Sequence, residues 1–524
     1  MRASDLPLQY NAVQILEHNL AARADQVALY SPERELTFRQ TSDEVNRVGN
    51  ALKRLDVHIG ESVAILNLDN AEWAAAYFAI MKIGAVAVGM NTLLKPHEHA
   101  YILNDSRARV LIVHAALLPA LDPVREQLLF VKHVIVVGGD SSTPLRSAQN
   151  DTVRYEDWIA NESATLEAAP THRDDFCALN YSSGTTGEPK GILHAHKDLP
   201  LTAQLWAVNV LGLREKDRTF ATAKLFFTFG TGGNLVFPWY VGASCILMAA
   251  PPRIPANVLQ TIDRFKPTIH FNAPTGYAAI LADQDFLDGK YDLSSIRLCV
   301  SAGESLPAPV WHAWKEKTGL DIIDGIGCTE IWHIFISNRP DDIRPGSSGK
   351  PVPGMDVKIV DDNMNPVAQG EVGNLLVKSE TTALFYLHQA EKSRRTFLGE
   401  WLLTGDKYMM DADGYFWHAG RSDDMLKVGG IFVSPVEVES TLLSHPAVLE
   451  CAVVGLPDAS NLIKPKAFVV LKQGYDASDA LKQELVVYCK EKMAEYKRPR
   501  WLDFVNELPK TATGKIQRFK LRAQ

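Results

Sequence analysis

Between residues 61 and 301 the chain repeats one rhythm, a short run of β-branched and small apolar residues followed by a stretch that reads as a helix. Glu61-Ser-Val-Ala-Ile-Leu-Asn reads as a strand, residues 71–83 as a helix, and Ala85-Val-Ala-Val-Gly as a strand again. Similar strand runs recur at residues 108–113, 134–137, 244–248, 268–272 and 298–301. Strands buried on both faces lose the apolar/polar alternation, and helical crossovers leave successive strands parallel. The rhythm therefore points to mostly parallel sheets covered by helices. Upstream, Asn11 can cap an amphipathic helix running through Ala24.

From about Gly346 the texture changes. Val357-Lys-Ile-Val-Asp-Asp-Asn, Gly370-Glu-Val-Gly-Asn-Leu-Leu-Val and Tyr415-Phe-Trp-His-Ala-Gly are short alternating runs with Gly and Asp turns, the pattern of hairpins. The last hundred residues regain α+β character, with helices at 435–444 and 480–495 and strands at 448–455 and 466–472. Residues 420–430 hold four charges and three glycines, a natural hinge. The expected class is α/β (α+β). A large N-terminal domain (1–422) stacks mostly parallel sheets under helices and includes a small β-barrel-like, hairpin-rich subdomain at about 346–422. A small α+β domain follows at 423–524.

Composition removes several classes. Apolar residues are 46% and charged residues 22% of the 524, the balance of an ordinary globular chain rather than a disordered one. The net charge of −8 argues against a nucleic-acid binder. The charge is uneven, since ten Lys/Arg against four Asp/Glu after residue 489 give the tail +6 and leave −14 elsewhere. Six cysteines (Cys177, Cys245, Cys299, Cys328, Cys451, Cys489) show no CxxC spacing, as expected of free thiols in a reducing cytoplasm. Residues 1–11 carry Asp5 and no apolar h-region, and Glu72 and Lys82 interrupt the most apolar stretch, 71–90. A cytoplasmic protein with no signal peptide and no membrane partner is expected.

The strongest local signal is Tyr181-Ser-Ser-Gly-Thr-Thr-Gly-Glu-Pro-Lys-Gly. Hydroxyls and backbone N–H groups around two glycines, with Lys190 behind them, can wrap phosphate oxygens. The same composition also suits a flexible surface loop. It is not a Walker A loop, because Pro189 and Gly191 stand where glycine and Ser/Thr belong. Gly325-Ile-Gly-Cys-Thr-Glu offers Thr329 and Glu330 as oxygen ligands for a Mg²⁺–phosphate unit, or else is a turn leaving a strand at 320–323. Thr404-Gly-Asp406 and Gly420-Arg-Ser-Asp-Asp place carboxylates near glycines, matched to ribose hydroxyls or to plain hairpin turns. Pro509-Lys-Thr-Ala-Thr-Gly-Lys515 sets a lysine on a glycine turn inside the basic tail. His97-Glu-His99 and His194-Ala-His196 lack the spacing of a zinc helix. No G-x-S-x-G elbow exists, and Ser347 and Lys350 lack the partners of an S-x-x-K hydrolase.

In this order the segments resemble the adenylate-forming superfamily of acyl-CoA synthetases, adenylation domains and luciferases, over essentially the whole chain. Lys224-Leu-Phe-Phe-Thr-Phe-Gly, Asn272-Ala-Pro-Thr-Gly-Tyr, Ser301-Ala-Gly-Glu and Asp324-Gly-Ile-Gly-Cys-Thr-Glu-Ile-Trp-His-Ile-Phe-Ile-Ser look like its benzoate–CoA ligase branch. The resemblance implies ATP and coenzyme A as substrates, Mg²⁺, and a mobile C-terminal lid. It places Ser182, Ser183, Gly184, Thr185, Thr186, Gly187 and Lys190 at the β,γ-phosphates, Thr329 near the α-phosphate and Glu330 on the metal. Gly303, Glu304, Asp324, Gly325 and Ile326 would border the adenine, and Asp406 and Arg421 would hold the ribose. Ile326 stands where an aromatic residue often stacks on the base. Lys515 would bridge the acid and the α-phosphate, Asp423 would be the hinge, and Lys427, Gly429, Gly430, Lys466 and Arg498 would meet coenzyme A.

The acid pocket expected on this basis is lined by Phe226, Phe227, Thr228, Phe229, Ala273, Trp332, His333 and Ile334, aromatic walls for a compact flat acid. The expected reaction is acid plus ATP to acyl-adenylate and pyrophosphate, then acyl-AMP plus coenzyme A to the thioester and AMP. Rival readings are loading of a carrier-protein thiol, a ligase for phenylacetate or cyclohexanecarboxylate, and a non-catalytic nucleotide-sensing or nucleic-acid-binding protein that uses the basic tail. A monomer or homodimer fits equally.

Overall fold

The computed structural model describes residues 1–139, 151–184, 187–422, 424–428, 431–458, 462–510 and 516–523. Its body is built on two large sheets. The first runs, in spatial order, Asp151–Arg154, His133–Val137, Val110–His114, Ser62–Leu66, Val86–Gly89, Phe176–Gly184 and Gly187–Ala195. Every neighbouring pair is parallel except the last, which is an antiparallel hairpin. The second has a parallel centre of Ile322–Gly327, Leu298–Ser301, Ile269–Asn272, Arg218–Ala221, Ser244–Ile246 and Val27–Tyr30. Antiparallel strands close both of its edges.

The helix Ala71–Lys82 explains how the sheets are joined. Asn70 caps it by accepting from the Trp73 N–H at 2.9 Å. Apolar residues surround its whole circumference, so it cannot lie on a surface. Trp73, Tyr77, Phe78 and Ile80 sit in one core with Val63 and Ile65 of the first sheet and Ala221 and Phe271 of the second. Full burial of each such side chain is worth about 1.5–3 kcal/mol. The hairpin-rich part is a five-stranded antiparallel sheet of Asp356–Val360, Gly373–Lys378, Phe397–Leu398, Trp401–Met410 and Phe416–Arg421. Beyond it, Val448–Pro457, Ile463–Leu471 and Trp501–Phe504 form a separate three-stranded sheet against helices Pro435–Leu443 and Asp479–Lys492. The apolar clusters after Leu426 contain no residue from before Phe416.

Two expectations change. Residues 11–24 do not form one helix but two short pieces, Gln14–Glu17 and Leu20–Arg23. The fully buried Asn19 between them donates to the Trp239 carbonyl at 2.8 Å, and Asn11 donates to the Met81 carbonyl at 2.8 Å. Each amide adds a long-range contact to its local ones, Asn11 accepting from the Val13 N–H and Asn19 donating to the Ile15 and Leu16 carbonyls. The strand expected to end at 323 instead runs to Gly327, because Gly325 and Ile326 pair with Ser337 and Ile336. No helix among the described residues is long and apolar enough to cross a membrane.

Candidate functional site

In an open parallel sheet, loops at the carboxyl ends of the strands converge. Residues 226–229 follow the strand Arg218–Ala221, Ala273 follows Ile269–Asn272, and Gly303 and Glu304 follow Leu298–Ser301. Thr329 and Glu330 follow Ile322–Gly327. The first sheet brings its hairpin to the same place, with Lys190 on its second strand rather than on a free loop. A Cβ at Gly89 would lie 3.3 Å from the Phe226 Cα, so the two sheets abut where their loops meet.

Glu330 is the best-defined acid of this region. It is 9% exposed in a 3₁₀ turn, Thr329–Ile331. The Lys190 Nζ lies 3.2 Å from its Oε1, and the Tyr386 hydroxyl donates to the same oxygen at 2.7 Å. Lys190 also sits 4.6 Å from the Tyr386 ring centroid. Burial raises the carboxyl's pKa, but the Lys190 charge and the Tyr386 hydroxyl outweigh it, leaving Glu330 below the ordinary carboxylate value. Just beyond, Trp332 holds a φ of 74°. A bulky residue in that region costs about 1–3 kcal/mol and persists where its surroundings fix it, often at a functional site.

Asp324 behaves oppositely. It is buried at the sheet's end, its Oδ1 has no hydrogen-bond partner, and burial pushes its pKa up to about 8. Asp406 and Arg421, far from being turn residues, are direct partners across two antiparallel strands. The Arg421 Nη1 lies 2.9 Å from the Asp406 Oδ1. Burial raises the Asp406 pKa, and Arg421 and His418 together bring it below its usual value. His418 in turn meets the Ser305 hydroxyl at 2.7 Å, tying this pair to the loop at Gly303 and Glu304. Gly303 is exposed with a φ of 94°, a conformation that favours glycine.

A third group is aromatic. Phe226 and Phe227 pack edge to face at 4.4 Å, and Thr228 and Phe229 are half-buried. Their segment is anchored by Lys224, whose Nζ donates to the Met248 and Ala250 carbonyls at 2.6 and 3.0 Å. Asp69 accepts from the Leu225 N–H at 3.2 Å, and burial raises it to about 6. His333 lies in this aromatic group, with ring centroids 4.6 Å from Phe237, 4.8 Å from Trp206 and 5.5 Å from Phe229. Burial lowers its pKa to about 3, and neither ring nitrogen has a hydrogen-bond partner. A Cβ at Gly232 would come within 2.8 Å of the ring, so that position excludes any larger residue. Trp332 is fully buried and stacks edge-on against Phe237, and Ile334 is buried beside it in the strand Ile334–Ser337.

The structure thus brings together Lys190, Glu330 and Thr329, pairs Asp406 with Arg421, and gathers Phe226–Phe229 with His333. Thr185, Thr186, Asp423, Gly429, Gly430 and Lys515 lie outside the described residues. Lys466 pairs with Asp503 at 2.9 Å and Arg498 with Glu495 at 2.6 Å, both on the C-terminal sheet's side of the molecule. Reading the sequence missed Tyr386, His418 and Lys224 as partners. Tyr386 stands 196 positions from Lys190 in no recognisable pattern, so only the folded contact reveals it.

The AMP-binding enzyme family profile matches residues 16–387, and that of the AMP-binding enzyme C-terminal domain matches residues 437–515. A benzoate–CoA ligase of Thauera aromatica is 44% identical over 99% of this chain and 97% of its own length. The crystal structure of the anthranilate CoA ligase AuaEII in complex with anthranoyl-AMP superposes with a TM-score of 0.96, at 66% identity, covering 100% of this chain and 98% of that one. A benzoate CoA ligase from Burkholderia xenovorans LB400 superposes at 0.89 with 38% identity, over 98% of this chain and 100% of that one. The chain belongs to the AMP-binding enzyme family, and within it to the benzoate–CoA ligase branch of adenylate-forming enzymes.

Proposed function

We propose that 2-aminobenzoate is the preferred acid of this chain, which is an AMP-forming aromatic acid–CoA ligase of the benzoate type. The observation that carries the choice of acid is His333, a neutral imidazole with two unpartnered nitrogens among aromatic rings. An apolar slot suits the benzene ring, and a polar group within it suits an amino substituent. The 66% identity to an anthranilate CoA ligase supports the same assignment.

The acid's carboxylate attacks the α-phosphorus of ATP, forming the C–O–P link as pyrophosphate leaves. The coenzyme A thiolate then attacks the acyl carbon and AMP leaves. The first step brings two anions together, so fixed positive charge is needed at the meeting point. Lys190 supplies it at the phosphates, Thr329 lies beside the α-phosphate, and Lys515 bridges acid and phosphate. Asp406, held ionised, accepts from ribose hydroxyls with Arg421 beside it. Asp324 keeps its proton at neutral pH and borders the adenine as a donor, with Gly303, Glu304, Gly325 and Ile326 around the base.

The donor chemistry at Glu330 fits Mg²⁺. Lys190 and Tyr386 both contact Oε1, leaving Oε2 for a hard cation, and Mg²⁺ commonly takes one or two carboxylates alongside substrate phosphates. When bound, it spreads the phosphates' charge and eases pyrophosphate departure. Coenzyme A would be met by Lys427, Lys466 and Arg498. The last is paired with the largely exposed Glu495, an ion pair that a phosphate can displace at little cost.

A panel of benzoate, 2-aminobenzoate, hydroxybenzoates, phenylacetate and cyclohexanecarboxylate with Mg·ATP and coenzyme A tests this by thioester and AMP formation. The expected kcat/KM for 2-aminobenzoate exceeds that for benzoate by about tenfold, the value of one hydrogen bond, and His333→Phe brings the two together. AMP release that ignores coenzyme A and requires a carrier-protein thiol would sink the ligase assignment.

A further inference from the structure

Lys190 is not the only side chain of its strand that reaches the Thr329–Ile331 turn. Side chains alternate along a strand, so residues 190, 192 and 194 of Gly187–Ala195 share a face. The His194 Nε2 lies 2.7 Å from the Thr329 carbonyl, and its Nδ1 lies 3.0 Å from the Asp198 Oδ2. A carbonyl and a carboxylate both only accept, so Nε2 donates to Thr329 and Nδ1 to Asp198. Asp198 also accepts from the Ala195 N–H at 2.9 Å, which fixes the carboxylate that orients the ring. His194 is fully buried and Asp198 nearly so.

The turn needs such support. Its successive carbonyls are all taken: Thr329 also accepts from the Trp332 N–H at 2.9 Å, Glu330 from the Ala383 N–H at 2.8 Å and Ile331 from the Thr381 hydroxyl at 2.9 Å. These bonds hold the turn to itself and to the chain near residue 382. Lys190 and His194 tie it to the hairpin strand. In the reaction proposed above, Lys190 and Glu330 both turn to phosphate and metal, which loosens their mutual contact. The His194 bond, made to a backbone carbonyl, takes no part in that exchange.

We propose that His194, oriented by Asp198, is a positioning residue that sets Thr329 and Glu330 at their working distance from Lys190 during adenylate formation. It rests on the proposed phosphate-side role of that turn. His194→Phe keeps a planar aromatic ring, somewhat larger, and removes the donor; His194→Gln keeps an N–H at nearly the same reach. The Kd of Mg·ATP is measured by calorimetry without acid, and the two half-reactions separately, the second from supplied aroyl-AMP. His194→Phe is expected to weaken Mg·ATP binding and slow adenylate formation by about 10–100-fold, as for other groups that orient a ligand-bearing residue. Thioester formation from aroyl-AMP stays near the wild-type rate, and His194→Gln recovers most of the loss.

Wild-type values in His194→Phe, equal losses in both half-reactions, or a Gln variant as impaired as Phe would each overturn the proposal. Asp198→Asn, which leaves Nδ1 a neutral partner, gives the same readouts with a smaller shift if the Phe variant does not fold. A wild-type enzyme that forms no aroyl-AMP would instead overturn the ligase reading itself.

Discussion

Asp324 and Glu330 stand at opposite ends of one strand-to-turn segment, both buried carboxyls, 5% and 9% exposed. Burial pushes both upward, yet Asp324 rises to about 8 while Glu330 falls below its ordinary value. The difference lies in what the fold sets opposite each. Glu330 faces an ammonium and a phenol delivered by two remote segments, whereas Asp324 has only neutral donors, the Ser301 hydroxyl and the Leu306 and Gly325 N–H groups, to offset its burial. Depth decides the cost of a charge, and partners decide whether the charge exists. One segment thereby carries one carboxyl whose pKa is raised and one whose pKa is lowered.

The sharpest way to break this contrast is Lys190→Ala. Without the ammonium, burial acts on Glu330 against only the Tyr386 hydroxyl and a backbone N–H, and its pKa climbs. Adenylate formation at pH 7, followed by pyrophosphate exchange, is expected to fall about 10²–10³-fold, the usual cost of losing a fixed donor at a reacting charge. The residual rate should rise with pH as Glu330 ionises, and a flat profile would sink this account.

Tyr386→Phe removes one hydrogen bond to a charged acceptor, worth about 1.5–3 kcal/mol, so at least a tenfold weaker response to Mg²⁺ concentration is expected. Indifference of that titration to the change would detach Tyr386 from Glu330's function.

The smallest effect on catalysis, though the cleanest on ionisation, belongs to Asp324→Asn. The folded pKa of Asp324 is raised above its unfolded value, so the folded state holds the extra proton between about pH 4 and 8. Wild-type stability therefore declines as pH rises through that window. The amide cannot ionise, and its melting temperature relative to wild type should climb from pH 5 to pH 8. A constant difference would place the Asp324 pKa in the ordinary range.

Much of this was legible in the sequence for a physical reason. A strand covered on both faces must be apolar on both, and a helix between two sheets must be apolar all round. The runs at 61–67, 71–83 and 298–301 announce themselves in that way and fold within a residue or two of their expected limits. Glu330, Asp406 and Arg421 were also legible as types, charged groups set close to glycines. Their setting was not. Lys190 and Asp406 lie in paired strands rather than loops, since antiparallel register depends on a partner strand elsewhere in the chain. The helix expected at 11–24 failed likewise, as the Asn19 amide donates to the Trp239 carbonyl, 220 positions away, as well as to Ile15 and Leu16.

Sequence alone determined which elements form and which chemical groups are available, because periodicity and side-chain chemistry are local properties. Tertiary structure alone decided that Tyr386 stands over Glu330, that His194 grips the Thr329 carbonyl and that burial pushes the Asp324 pKa up to about 8. Hydrogen bonds act over about 3 Å and the dielectric around a group is set by whatever the fold packs there. No stretch of sequence encodes that distance by itself.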